Sequence, residues 1–289
     1  MSTTNPQPTA LCAAATPAST VLARFAALTW SLDSLADNNA WRTDSYWVSE
    51  RAKHHRYSFR MLRYWYMERL LASERVRLGR PLAVLEIGVD RGQMKAFVDG
   101  ASSAQGTADS IYSTWDAADI RPQREALTAA GYGNCHTTNL DDAGSLHALA
   151  QAQRGKYDVV IVLHVLEHLT EPARAVKFLG EVLGTEGIML GGFPVIPTGL
   201  VNIRERQLKK SAQQYGHVSA FSKRRVQRMA SDAGLGVDYA SGAFAVRASG
   251  SPLEHRAWWL RLNIAFGALL PSWPGEIYWQ LRKLAPRLA

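Results

Sequence analysis

Val84-Leu85-Glu86-Ile87-Gly88-Val89-Asp90-Arg91-Gly92 is the stretch on which the fold turns. Val84, Leu85 and Ile87 form a short apolar run after Arg80-Pro81, the pattern of a strand buried on both faces. Two glycines then follow, four residues apart, and residues 93–98 carry a helical pattern. Strand, glycine turn and helix together let backbone approach a ligand, with helix N–H groups and the positive end of the dipole aimed at it. Gly88, Asp90 and Gly92 spell G-x-D-x-G. Without a third glycine this is not the dinucleotide fingerprint, and Asp90 narrows the freedom of the turn.

Around that stretch lie 289 residues, enough to bury one large core. A hydrophobic content of 47% with 20% charged residues describes a soluble globular chain. Cys12 and Cys135 supply neither a disulfide framework nor a metal cluster, which suits a reducing cytoplasm. The net charge of +8 is uneven: residues 50–80 hold nine Lys/Arg against three Glu. The first twenty residues are rich in Thr, Ala, Pro and Ser, lack a basic leader, and read as a disordered tail. No apolar run reaches the roughly 18 residues that span a bilayer.

Taken in order, Val21, Leu22, Phe25, Leu28, Leu32 and Leu35 recur at three- and four-residue steps, which predicts a helix ended by Asp37-Asn38-Asn39. A second helix is expected over 50–78, with Phe59, Leu62, Tyr66 and Leu70 on one stripe and Gly79 as its stop. Its other faces carry the nine cations and Tyr57, Tyr64 and Trp65, a mixture that suits a nucleic acid, an anionic lipid surface or plain solvent. A second strand runs from Ile111 to the tip Asp119-Ile120-Arg121-Pro122. A carboxylate at such a tip accepts from both hydroxyls of a ribose; Asp119 is preferred over Asp116 because Pro122 follows it. A short third strand, 135–138, leads to Asp141 and Asp142. Val159 to Leu163 after Asp158 give a central parallel strand. His164, Glu167 and His168 match the letters H-x-x-E-H of a zinc peptidase type, but they start at a strand tip where that motif needs a helix. Further elements follow: a helix at 172–183, a strand at 188–190, a basic polar segment at 204–214, a helix at 223–233 and a sixth strand at 238–246. Residues 252–270 hold Trp258, Trp259 and a run of aliphatics, either a core-packing or an interfacial helix. Residues 276–283 alternate as a seventh strand.

Four landmarks carry a resemblance to the class I S-adenosylmethionine (SAM)-dependent methyltransferases: Glu86-x-Gly88, Asp119, Val165-Leu166-Glu167-His168-Leu169 and His217-x-x-x-Phe221-Ser222. They fall in that family's order; Asp90 and Gln93 depart from its glycine loop. The resemblance is to the small-molecule type and covers 82–242. It implies an α/β doubly wound, Rossmann-like sheet of seven strands, mostly parallel, with an N-terminal helical extension. The chain divides into the 1–20 tail, a 21–80 helical cap, an 81–250 SAM-binding core and a 251–289 helix plus closing strand of the same domain. Glu86, Gly88, Gly92, Asp119, Ile120, Asp141, Leu163 and His164 are the implied cofactor residues. Asp141, rather than Asp142, is expected to accept from the adenine amino group.

The activity implied is methyl transfer to a small-molecule or sugar-type acceptor, at a hydroxyl. A histidine is the natural base at neutral pH, and His217 and His168 are the candidates. An anionic group on the acceptor would meet the basic 51–63 face. The alternatives are an RNA methyltransferase or a SAM-binding regulatory module without turnover. Some methyltransferases of ubiquinone biosynthesis and of small-RNA ends hold a divalent ion on E-x-x-E-H with a later histidine. Here His164 replaces the first Glu, so no metal is expected. Nucleic acid is disfavoured as a partner. Weak, salt-sensitive contact with anionic membranes through 252–270 is expected.

Overall fold

A computed structural model describes residues 23–36, 55–104, 110–211, 216–244 and 251–284. The expectations for the 1–20 tail, for Asp37-Asn38-Asn39, for the helix start near Glu50 with Arg51 and Lys53, and for Val246 lie outside these residues.

The seven strands are β1 (Leu82–Ile87), β2 (Tyr112–Asp119), β3 (Cys135–Thr137), β4 (Tyr157–Leu163), β5 (Leu183–Val195), β6 (Leu235–Gly242) and β7 (Gly275–Lys283). They form one sheet in the order β3-β2-β1-β4-β5-β7-β6. Pairs from β3 to β5 are parallel, and β7 runs antiparallel between β5 and β6. The order reverses between β1 and β4, which makes their carboxyl ends the switch point where a doubly wound sheet takes its ligand. β4 is apolar for the reason its sequence suggests: Val159, Val160, Ile161 and Val162 are all fully buried, with a layer on each face.

One layer is built by α1 (Leu62–Leu78), α2 (Gln93–Ala104), α3 (Arg124–Ala129) and α8 (Ala257–Leu269). The other is built by α4 (Ala143–Ala152), α5 (Pro172–Val182) and α7 (Lys223–Asp232). α1 buries Leu62, Tyr66 and Leu70 as the stripe predicts. It stops at Gly79, whose φ of 67° lets its N–H reach Arg75 O.

The expected helix over 21–35 does not form as such. Its described part is a short 3-10 turn, Ala26–Leu28, followed by further turns. The cause is tertiary. Arg261 takes the carbonyls of Ala27 and Trp30, and Trp65 Nε1 donates to Ser31 O, so carbonyls that a helix would use internally are claimed by other elements. The second helix also starts later, after a 3-10 turn at Phe59–Met61. The 204–214 segment contains a helix that hydrophobic periodicity missed, α6 (Val201–Lys210), in which only Val201 is buried. β5 is longer than expected because it pairs with β7 from Ile188 to Val195; β6 begins at Leu235, three residues early.

Four of the nine cations of the basic segment form ion pairs within the molecule. Arg63 pairs with Glu276, Arg69 with Glu68, Arg77 with Glu74 and Glu186, and Arg80 with Asp158. Arg63 is therefore part of an internal ion pair rather than an open basic face.

Candidate active site

Register aligns the candidate residues. Ile87 pairs with Ala118 on β2 and with Val162 on β4. The next residue on each strand, Gly88, Asp119 and Leu163, therefore stands in one row at the carboxyl edge. Gly88 N donates to Ala118 O at 2.8 Å, holding the row together as the sheet ends.

The loop after β1 alternates hands. Gly88, Asp90 and Gly92 all have left-handed φ values of 70°, 47° and 74°. Asp is one of the few non-glycine residues that tolerates this region, so the G-x-D-x-G spelling still makes a sharp turn into α2. A Cβ on Gly88 would collide with Cγ2 of Val165, so the loop seats directly on the β4 exit. The first turn of α2 follows at once, with N–H groups that a helix leaves without internal partners.

Beneath this loop Glu86 is buried and accepts from Trp115 Nε1 (2.9 Å) and Tyr132 OH (2.7 Å), both on Oε2. Burial pushes its carboxyl up to about 7, against the pull of those two donors and of Lys95. Its described contacts support the loop from below. Trp115 and Tyr132 are supports that sequence reasoning missed, and Tyr132 directly after Gly131 was the available signal.

On β2 the two acids part company. Asp116 is buried and accepts from Asn134 N (2.7 Å), Asn134 Nδ2 (3.1 Å) and Tyr157 OH (2.7 Å). Asp119 ends the strand half-buried; among the described residues its side chain accepts only from Arg121 N, at 2.9 Å on Oδ1. Ile120 beside it is 46% exposed. Asp142 is the N-cap of α4, accepting from Ser145 N. Asp141 Oδ1 accepts from Thr170 N and Oγ1, both at 2.9 Å, and so ties the β3 exit to the segment after β4.

At the β4 exit a chain of charged groups begins. His164 is left-handed (φ 55°), and its N–H bonds Gly192 O. Its Nδ1 lies 3.0 Å from Glu167 Oε1 and its Nε2 3.4 Å from Glu276 Oε2. Burial and Arg63 push this imidazole down, but Glu276 and Glu167 outweigh them and hold it above the usual histidine value. Glu276, from the start of β7, also accepts from Arg63 (3.1 Å) and Tyr278 OH (2.5 Å). Arg63 and Glu276 come from opposite ends of the chain, and no sequence motif signalled either.

Toward the surface, Val218 N and Ser219 N both bond Glu167 O, which pins the loop at 216–219 onto the turn Leu166–His168. His168 Nδ1 faces Gly216 O at 3.2 Å, and the rings of His168 and His217 meet edge to face at 4.8 Å. Glu167 Oε2 is buried and has no hydrogen-bond partner among the described residues. One ligand atom each from Glu167, His168 and His217 lies within 4.8 Å of the others, so the three could hold a metal ion. Burial lowers the His217 pKa more than Glu167 raises it, while the hydrogen bond and charge of His164, with the charge of His168, hold Glu167 below the usual range despite burial. A cleft lined by Arg154, Lys177 and Lys283 lies at the opposite edge, by the amino ends of β4 and β5, away from these groups.

A topological switch point with a glycine turn, a strand-tip carboxylate and an ionisable β4 exit defines a nucleotide-type site of the doubly wound class. Residues 54–240 match the model of the methyltransferase domain family, and the chain belongs to that family. Its fold is the Rossmann-like, class I methyltransferase fold. Among solved structures it is similar to the trans-methyltransferase CalH in complex with S-adenosylhomocysteine, at 17% identity and a TM-score of 0.50. That match covers 75% of this chain, which spans 55% of the length of CalH. Also similar are a SAM-dependent methyltransferase from Mesorhizobium loti (12% identity, 76% and 98% covered, TM-score 0.49) and the Burkholderia thailandensis 1,6-didemethyltoxoflavin-N1-methyltransferase (13%, 75% and 77%, 0.44). No curated protein matches the sequence.

Proposed function

We propose that the protein methylates a hydroxyl of a small-molecule or sugar-type acceptor, with Asp119 holding the SAM ribose and His217 taking the acceptor proton. The observation that carries this reading is the row Asp119, Gly88 and Leu163 at the carboxyl edge, with His217 held over Glu167 just past the β4 exit. The residues present fit the cofactor. Asp119 has one oxygen open among the described residues, Ile120 offers an exposed apolar face, and the α2 N-terminus with its left-handed loop suits a carboxylate. Asp141 keeps Oδ2 for the adenine amino group. Bound SAM would supply an electrophilic methyl group on its sulfonium, and the chain's own residues would align the acceptor hydroxyl with it and take the proton that the hydroxyl gives up. A lowered pKa leaves His217 neutral and able to accept that proton near pH 7. Glu167, two carbonyl bonds below, positions the loop and stabilises the imidazolium once formed.

The expected pH profile follows from the sign of that shift. Activity should be lost as pH falls through a limb below the usual histidine value and stay level above it. Substitution His217→Gln should cost on the order of 10²–10⁴ in kcat and abolish the limb. Unchanged SAM affinity by calorimetry would separate this from cofactor loss.

The donor set of Glu167, His168 and His217 favours a second reading, a divalent ion activating the acceptor. Against it, Glu167 shares its charge with His164 at 3.0 Å, which weakens the set as a ligand for a dication. Turnover is therefore expected to survive EDTA. Loss on chelation, restored by Mg²⁺ or Mn²⁺, would make these three residues ligands and displace the base mechanism.

A further inference from the structure

We infer that the outer face of α8, with the turn after it, is a docking surface for an anionic lipid bilayer. α8 packs one side into the core through Leu260, Ile264, Gly267 and Ala268. Trp258, Leu262, Ala265 and Leu269 follow at four-, three- and four-residue steps, so they share one stripe on the other side. That stripe is open: Trp258 is 59% exposed, Leu262 50% and Leu269 61%, and the following turn adds Leu270 at 49% and Trp273 at 48%. A tryptophan stands at each end, the placement that indole rings take at a headgroup boundary.

Charge complementarity selects the occupant. Between Glu254 and Glu276, both buried, the sequence holds no carboxylate at all. The charges it does hold are Arg256 and Arg261; Arg261 is spent on the Ala27 and Trp30 carbonyls, and Arg256 is exposed at the start of the stripe. Exposed Arg56 belongs to the same end, because its N–H bonds His255 Nδ1. An apolar stripe with cations at its start and no carboxylate within its own stretch of chain matches anionic lipid.

Size argues the same way. Thirteen helical residues are about 20 Å long, so the stripe covers on the order of 200 Å². A stable protein interface needs about 800 Å² per partner. A few inserted side chains assisted by cations suffice for reversible lipid binding. No helix of the described residues is long and apolar enough to cross a membrane, so the contact is peripheral. Of the tryptophan pair at 258–259, only Trp258 faces outward. Trp259 is half-buried against the core and is unsuited as a probe.

Flotation of the full chain with phosphatidylcholine–phosphatidylglycerol vesicles tests the inference. The protein should float with these vesicles, detach at high salt, and stay behind with pure phosphatidylcholine. The variant Trp258→Ala, Leu262→Gln, Leu269→Gln should lose at least roughly tenfold in partitioning, with unchanged Tm and SAM affinity because all three side chains are exposed. Should that variant unfold, Arg256→Glu and quenching of wild-type tryptophan fluorescence by brominated lipid replace it; quenching is expected, and Arg256→Glu should weaken flotation. Failure of wild type to float, flotation of the triple variant like wild type, or absence of quenching overturns the inference. So does concentration-dependent dimerisation that the same substitutions abolish, which would assign the stripe to a second copy.

Discussion

Asp116 and Asp119 lie three residues apart on β2, yet their surroundings separate their roles. Asp116 is buried, so its removal leaves the buried Tyr157 hydroxyl without its 2.7 Å acceptor, at about 1–3 kcal/mol. Asp119 sits at the edge with capacity to spare. Asp119→Ala is expected to weaken SAM at least roughly tenfold in calorimetry while leaving Tm almost unchanged, since a charge-assisted bond contributes about 1.5–3 kcal/mol. Asp116→Ala should do the reverse, lowering Tm and sparing affinity in the folded fraction. The opposite pattern would move the ribose site off the β2 tip.

At the scale of elements, the β1–α2 turn and the β4 exit act as one unit because Val165 fills the space a Gly88 side chain would need. Gly88→Ala carries two costs: a left-handed φ of 70°, about 1–2 kcal/mol for a residue with a Cβ, and the collision with Val165. Val165→Ala removes Cγ2. The double variant is therefore expected to recover the steric part and keep the backbone part. A double-mutant cycle read by denaturant unfolding measures this, and strict additivity would mean the two elements do not press on each other.

Across the whole molecule, the N-terminal helix α1 is clamped to the C-terminal strand β7. Glu74 is buried and accepts from Arg77 (2.8 Å on Oε1, 3.0 Å on Oε2) and from Arg282 (3.0 Å on each oxygen). Burial alone would raise its pKa, but the two guanidiniums outweigh it and hold the carboxyl below the usual range. A depressed folded pKa contributes stability that is present above the unfolded value and lost as pH falls through the folded one. Arg282→Ala should therefore lower stability at pH 7 by about 2–4 kcal/mol, less than a fully broken buried pair because Arg77 remains. Its loss on acidification should be shallower, so the two proteins converge at low pH. Parallel Tm curves from pH 7 to pH 3 would show that the clamp is not electrostatic.

What the chain states locally was legible without coordinates. The sheet class, the β1 turn, the β2 tip and the β4 exit depend on strand burial, glycine φ and residue order, all properties of short windows. Gly79 as a helix stop and 276–283 as the closing strand are of the same kind. Other features needed the fold, because they join residues far apart in sequence. Arg63 meets Glu276 only because β7 inserts between β5 and β6, which brings its first residues to the β4 exit. The turns near Ala26–Leu28 replace a periodic helix because Arg261 and Trp65 capture the carbonyls. The basic segment reads as an open cationic face until its partners, Glu186, Asp158 and Glu276, arrive from distant strands. Periodicity reports which face of an element is apolar; only tertiary packing decides which polar groups find each other, since those distances span most of the chain.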